Sequence, residues 1–126
     1  MLIVTISTAQ MGKRFKLAKE NRAITDITVK SGDKRFAPDW DFLMEYKNSP
    51  QSREDEAAYT KKYKLKLKEL HQKHPEAFVE LLNTPDLILT CYCTPGKFCH
   101  RHILKEILFK LGERLGYRVI DGGEIE

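Results

Sequence analysis

The feature that most constrains the fold is a six-residue apolar run, LILTCY, at residues 87–92. Nearly all of its side chains are apolar, so a strand formed there must be covered on both faces. Strands of this kind are typical of parallel sheets, whose crossover connections place helices on each side. The run therefore predicts an inner strand of an α/β protein.

Three further apolar runs predict the other strands. They lie at residues 2–6, 23–29 and 117–120 and contain β-branched side chains. Residues 14–21, between the first two runs, are rich in helix formers. A strand, helix, strand order predicts a parallel pair at the start of the chain.

Helical segments account for most of the remaining sequence. Asp39 would cap a short helix, and apolar spacing predicts a long amphipathic helix over residues 54–73 and a short helix over residues 75–82. Another helix is predicted from Cys99 onward. We therefore expect a single three-layer α/β domain over residues 1–126. Its mainly parallel sheet would have about four strands, with helices on both faces and a helical insertion between strands two and three.

Composition argues against a membrane protein. Charged residues make up 32% of the chain, and no apolar run approaches the roughly 20 residues that span a bilayer. The run at residues 2–6 precedes its positive charges, which reverses the order of a secretory signal, so we expect cytoplasmic residence. The three cysteines, Cys91, Cys93 and Cys99, form an odd set that predicts free or ligated thiols in a reducing compartment.

The net charge of +4 comes partly from KKYKLKLK at residues 61–68 and suggests nucleic acid as a partner. However, Tyr59, Tyr63 and Leu67 form a stripe at helical spacing, and the lysines fall away from it. The favoured interpretation is a solvated helix face, and nucleic-acid contact remains the alternative.

Polar side chains follow each predicted strand. Parallel strands bring their carboxyl ends to one edge of a sheet, where ligands bind. The residues expected at that edge are Ser7, Thr8, Gln10, Asp26, Thr28, Lys30, Ser31, Cys93, Thr94, Cys99, His100, Arg101, Asp121, Gly122, Gly123 and Glu124.

The CHR triplet, Cys99, His100 and Arg101, would occupy the first turn of the last helix. Unpaired backbone N–H groups and the positive helix end favour an anion there, and a guanidinium adds a planar fork for phosphate or carboxylate. The same field would lower the pKa of the Cys99 thiol. The triplet therefore predicts an anion site.

Several of these residues have structural alternatives. Cys91 is more simply explained as core packing, and Arg101 could pair with Asp26 or Glu124 instead of a ligand. The pair Gly122 and Gly123 could mark a turn. Zinc is a further alternative, because the cysteines and His100 offer four ligands. The spacing C-x-C-x5-C-H departs from the usual C-x2-C pair, so no metal is predicted.

Five segments occur in a characteristic order: TIS, DITVKSGDKRFAPDW, LMEYK, LILTCYCTPGKFCHRHIL and GGEI. With them the chain resembles the domain-of-unknown-function 488 family, small α/β proteins of bacteria, archaea and phages, over nearly its whole length. The resemblance implies a Rossmann-like fold. It also implies a pocket formed by the Asp26 region, the CHR triplet and the Glu124 end.

One position departs from the family pattern. Many members carry an arginine two residues after the strand-two aspartate, where this chain has Thr28. The anion contact made by that arginine would pass to Lys30 or Arg35 here.

We expect a protein that binds a nucleotide- or nucleoside-like anionic small molecule at the carboxyl end of its sheet. If it processes that molecule, hydrolase or transferase chemistry is expected, without a cofactor or membrane partner. The ligand-binding candidates are Ser7, Thr8, Thr28, Lys30, Cys93 and Arg101, and the catalytic candidates are Asp26, Cys99, His100 and Glu124.

Two alternatives remain open. One is a non-catalytic module for an anionic signal, a nucleic acid or a protein partner, and the other, weaker one is thiol redox or zinc chemistry at Cys93 and Cys99. A homodimer is compatible with either.

Overall fold

A computed structural model of the protein describes residues 2–93 and 97–126. Its centre is a four-stranded, all-parallel sheet with strand order β2-β3-β1-β4. The strands are β1 (Ile3–Gln10), β2 (Thr25–Asp26), β3 (Asp86–Cys91) and β4 (Arg118–Ile125). The predicted α/β class, with a parallel sheet of four strands, is confirmed.

Helices surround this sheet. A 3₁₀ turn at Met11–Lys13 leads into the first of them. The helices are α1 (Arg14–Lys19), α2 (Trp40–Lys47), α3 (Arg53–Lys73), α4 (Glu76–Leu82) and α5 (His100–Arg114). Three of them, α2 to α4, lie between β2 and β3 in the chain, where the helical insertion was predicted.

The long helix α3 begins at a capping box. The Ser52 hydroxyl accepts a hydrogen bond from the backbone N–H of Asp55, whose carboxylate accepts one from the backbone N–H of Ser52. These reciprocal bonds satisfy two N–H groups at the helix start. In the part of the chain that the structure describes, neither α3 nor any other helix has the length and apolarity to cross a membrane.

The two faces of the sheet are covered unequally. On one face Val4 and Leu89 belong to a large apolar cluster that also contains Tyr63 of α3 and Leu104 of α5. On the other face Leu17 of α1 belongs to a small cluster with Ala9 and Ile88. The main core therefore lies between the sheet and the helices α3, α4 and α5.

Two strands are longer than predicted. Strand β1 runs to Gln10 instead of ending at residue 6, because its polar residues pair with both neighbouring strands. Strand β4 runs to Ile125, and Gly122 forms a bulge in it opposite Ser7 instead of a turn. A Cβ atom on Gly122 would collide with the Ser7 hydroxyl, so this bulge requires glycine.

Strand β2 is shorter than the predicted residues 23–29. It contains only Thr25–Asp26, because the Asp26 carboxylate turns the following backbone by accepting a hydrogen bond from the Thr28 N–H. Gly32 closes this turn against Asp26 and Thr28, where a Cβ atom would collide with their backbone. The chain therefore leaves the sheet before the predicted end of the strand.

Candidate functional site

A buried ion pair joins α5 to β4 at the carboxyl end of the sheet. Arg101 donates from Nε and Nη2 to the two carboxylate oxygens of Glu124, at 3.1 and 2.8 Å. The Thr8 hydroxyl donates to the same carboxylate at 2.5 Å. Burial acts to raise the pKa of Glu124, but the hydrogen bonds from Arg101 and Thr8 outweigh it and lower that pKa.

The same guanidinium also reaches the end of β3. Its Nη1 donates to Cys91 Sγ at 2.8 Å and to the carbonyl oxygen of Cys93 at 3.0 Å. The Arg101 side chain is fully buried. Of the two acids considered as its partner, the structure selects Glu124, and an anionic ligand would have to displace these contacts to reach the guanidinium.

Asp26 organises the turn after β2. One carboxylate oxygen accepts from the backbone and the hydroxyl of Thr28, at 2.9 and 2.7 Å, and the other accepts from the Ser31 hydroxyl at 2.5 Å. Such local bonds are typical of aspartate in turns. The carboxylate predicted to be catalytic therefore also holds the backbone that leads to Lys30.

The three cysteines meet beside this turn, and we refer to Cys91, Cys93 and Cys99 as the thiol cluster. Their sulfur atoms all lie within 4.8 Å of one another. The sulfurs of Cys91 and Cys99 are in bonding contact, whereas Cys93 is a free, half-buried thiol. The expectation of free or ligated thiols did not include this contact. It arises because Cys99, extended at the start of α5, faces the end of β3.

His100 lies against the thiol cluster in a defined tautomer. Its Nε2 is 2.7 Å from the carbonyl oxygen of Ile27, which can only accept, so Nε2 carries the proton. Its Nδ1 lies 3.5 Å from Cys99 Sγ. Burial lowers the pKa of His100 to about 4 despite the bond to Ile27. At neutral pH the uncharged ring therefore offers Nδ1 as an acceptor or a metal ligand.

A cleft of about 960 Å³ opens over the thiol cluster, between the turn after β2, helix α2 and the start of α5. Five predicted site residues line it. They are Thr28, Lys30, Cys93, Cys99 and His100. The described lining does not include the other five, Ser7, Thr8, Asp26, Arg101 and Glu124, and Thr94 lies outside the described residues.

Aromatic and basic side chains from the helical insertion and from the segment after β3 complete the cleft. The aromatic residues on its walls are Trp40, Tyr46, Tyr59, Tyr92 and Phe98. Lys47 and Lys97 join Lys30 on the rim, and Glu56 is the carboxylate among the described lining residues. These side chains were not selected from the sequence, because those of α2 and α3 do not follow a strand. Tyr92, Lys97 and Phe98 do follow β3 but were not chosen as candidates. An exposed Trp40 at the start of α2 is the signal that could have found them.

A family model described as the active DUF488-N3 subclade, DUF488-N3a, matches residues 9–112. The chain belongs to the DUF488 family. The match includes Asp26, the thiol cluster and the CHR triplet, whereas Thr8 and Glu124 lie outside it in this DUF488 protein. Neither the search of curated proteins nor the search of solved structures found a significant match.

Proposed function

We propose that this DUF488 protein binds a nucleotide-like anionic small molecule in the cleft over the thiol cluster. The observation that carries the proposal is the combination of aromatic walls with a basic rim in one concave site. Aromatic faces stack on nucleobases, and lysine ammonium groups attract phosphates. The volume of about 960 Å³ lies near the upper end of the range for small-molecule sites.

The charge of the rim supports an anionic ligand. The described lining contains three lysines and one carboxylate. The lysines are Lys30, Lys47 and Lys97, and the carboxylate is that of Glu56. None of the three ammonium groups has a salt bridge to a residue that the structure describes. Their charge is therefore not neutralised by described protein carboxylates, and a bound phosphate would provide the compensating charge.

We further propose that the protein chemically processes the bound molecule. The family model that the chain matches is described as an active subclade, which supports a chemical function. Cys99 and His100 are the predicted catalytic residues that line the cleft, while Asp26 and Glu124 hold its supporting turn and ion pair. We propose hydrolase or transferase chemistry on a nucleotide of the cytoplasm, which product analysis by chromatography tests directly.

Trp40 makes ligand binding measurable, because it is the one tryptophan of the chain and lies on the wall of the cleft. Titration with purine and pyrimidine nucleotides should quench its fluorescence through stacking. Changing Lys30 and Lys47 together to glutamine should weaken binding by about tenfold or more, the effect of roughly 1.4 kcal/mol. Lys64→Gln, on the exposed face of α3, is the matched control and should leave binding unchanged.

Two results would refute the proposal. One is the absence of any fluorescence change or thermal stabilisation with nucleotides at millimolar concentration. The other is binding that Lys64→Gln weakens and the double cleft variant does not. The second result would support the alternative of nucleic-acid contact along residues 61–68.

Hydrogen bonds within the protein reduce the number of lysine side chains at residues 61–68 that are available to a nucleic acid. Lys62 donates to Glu45, and Lys66 donates to Asp39 and to two backbone carbonyls. Two of the five lysines are therefore bonded within the protein. We retain α3 as the second candidate interface, and high salt should abolish any binding there.

A further inference from the structure

The thiol cluster and His100 together have the composition of a structural or catalytic zinc site. We propose that Cys91, Cys93 and Cys99 bind one zinc ion as thiolates and that His100 Nδ1 supplies the fourth ligand. This inference goes beyond the proposed nucleotide site and does not depend on it. It rests on how the side chains converge and on the groups that support them.

The distances suit ligands of one ion. Zinc–sulfur and zinc–nitrogen bonds of about 2.3 and 2.05 Å place tetrahedral ligand atoms about 3.6 to 3.8 Å apart. Cys99 Sγ and His100 Nδ1 are 3.5 Å apart, and the three sulfurs lie within 4.8 Å of one another. The separation of Cys99 Sγ and His100 Nδ1 matches this geometry, and the sulfurs of Cys91 and Cys99, which are in bonding contact, would move apart to bind the same ion.

The backbone separation favours a metal over a direct sulfur–sulfur bond. The Cα atoms of Cys91 and Cys99 are 7.9 Å apart. Cysteines with Cα atoms more than about 7 Å apart cannot be bridged by a disulfide without backbone movement. Two thiolates that share an ion tolerate a longer separation, because the ion lies between them.

The surrounding hydrogen bonds match those of metal sites. Histidine ligands donate their second ring N–H to a carbonyl or carboxylate, and His100 Nε2 donates to the carbonyl oxygen of Ile27 at 2.7 Å. Arg101 Nη1 donates to Cys91 Sγ at 2.8 Å, which stabilises a thiolate. Starting from the three reduced thiols, each would release its proton to solvent on binding, without electron transfer. A Cys91–Cys99 disulfide would first have to take up two electrons from a thiol reductant.

The spacing C-x-C-x5-C-H argued against zinc because it lacks the usual C-x2-C pair. In addition, two cysteines on one strand with two adjacent ligands on a helix turn make poor tetrahedral geometry. Strand β3 ends at Cys91, however, so Cys93 lies beyond the regular strand. Cys99 is extended and precedes the first turn of α5. The ligands therefore come from the last residue of a strand, from a residue two positions beyond it, and from the adjacent pair Cys99 and His100 at a helix start.

Cobalt titration of reduced, chelator-treated protein tests the site, because Co²⁺ in thiolate coordination has intense charge-transfer and visible bands. The wild type should bind one Co²⁺ per chain and lose the bands when one equivalent of Zn²⁺ is added. Cys93→Ser should weaken Co²⁺ binding by at least about tenfold. Cys93 is half-buried and outside β3, so this variant should retain the fold, which circular dichroism checks.

Histidine variants test the fourth ligand. His100→Asn should weaken Co²⁺ binding and change the visible bands, whereas His102→Asn should leave both unchanged. Equal spectra and affinities for wild type and His100→Asn would overturn the assignment of His100.

The thiolate site itself would be overturned by reduced wild type that shows no thiolate–cobalt band, or by Cys93→Ser with wild-type affinity. It would also be overturned if protein purified without oxidant holds no metal and has one alkylatable thiol after denaturation, because this outcome assigns Cys91 and Cys99 to a disulfide. The double variant of Lys30 and Lys47 leaves all four proposed zinc ligands in place. Nucleotide titrations of that variant and cobalt titrations of Cys93→Ser therefore allow failure of either proposal to be recognised separately.

Discussion

Removing the charge of Glu124 is the most informative perturbation of the buried ion pair. Glu124→Gln preserves the shape of the side chain but replaces one carboxylate oxygen with an NH₂ group. That group would face the N–H donors of Arg101, whose side chain is fully buried. The variant therefore removes the negative charge to which the buried guanidinium donates two hydrogen bonds.

The size of the effect follows from this burial. Breaking a buried ion pair by removing one partner costs about 3–5 kcal/mol. Glu124 is 20% exposed, so water can partly replace the lost charge, and we expect the low end, about 3 kcal/mol. In a domain with about 5–15 kcal/mol of stability, this loss is large.

Urea unfolding followed by circular dichroism measures the change in the free energy of unfolding. Glu106→Gln is the matched control, because Glu106 pairs with Lys110 on the exposed surface of α5 and should cost about 0.5 kcal/mol or less. A loss below about 1 kcal/mol in Glu124→Gln would refute the argument that burial sets the strength of this pair.

The same variant has a predicted pH dependence. The folded-state pKa of Glu124 is lowered, so its contribution is fully present above its unfolded pKa of about 4.3. The contribution decreases as the pH falls through the folded pKa and the carboxylate is protonated. Wild type and Glu124→Gln should therefore differ in stability at pH 7. The difference should begin to shrink as the pH falls below about 4.3 and disappear only below the lower folded-state pKa. A constant difference over this range would contradict the assignment.

Three further variants test the fold. Ser52→Ala should lower the stability by about 1 kcal/mol through loss of the α3 capping box, and an unchanged melting temperature would argue against that box. Gly122→Ala should lower the free energy of unfolding by more than about 2 kcal/mol, because its Cβ atom meets the Ser7 hydroxyl. Chemical unfolding measures this change, and an unchanged free energy would exclude the bulge. Tyr63→Phe should lower the free energy of unfolding by about 1–2 kcal/mol, because the buried Phe36 carbonyl loses its 2.5 Å hydrogen bond from the Tyr63 hydroxyl. An unchanged melting temperature would show that water replaces the hydroxyl.

Apolar patterning predicted the existence of the four strands better than their lengths. Runs of apolar residues identify where a strand is buried, but β1 extends through Ser7 and Thr8 because backbone pairing on both sides satisfies these polar residues. Conversely, β2 ends at Asp26 although apolar residues follow it. There the carboxylate binds the backbone in a turn, a competition that periodicity does not show.

The candidate site was predicted as a set of nearby residues, and Glu124 was one of two acids named as a possible partner of Arg101. Arg101 was also proposed as a ligand contact, yet it precedes Leu104 by three positions and Leu108 by seven, which places it on the buried stripe of α5. Helical spacing could therefore have indicated a buried guanidinium that needs a protein partner. The choice of Glu124 over Asp26 depends on the strand order β2-β3-β1-β4, which the sequence does not specify.

The ion pair of Arg101 and Glu124 also makes the outermost strand a reporter for the cleft. Strand β4 pairs only with β1 in the described sheet, and Arg101 connects it to Cys91 and to the carbonyl group of Cys93, which lines the cleft. Amide hydrogens of an outer strand exchange through local opening, at rates set by how firmly the strand is held. A ligand that holds Cys93 in place would therefore slow deuterium uptake in the eight residues of β4. These residues are remote in sequence from Cys93.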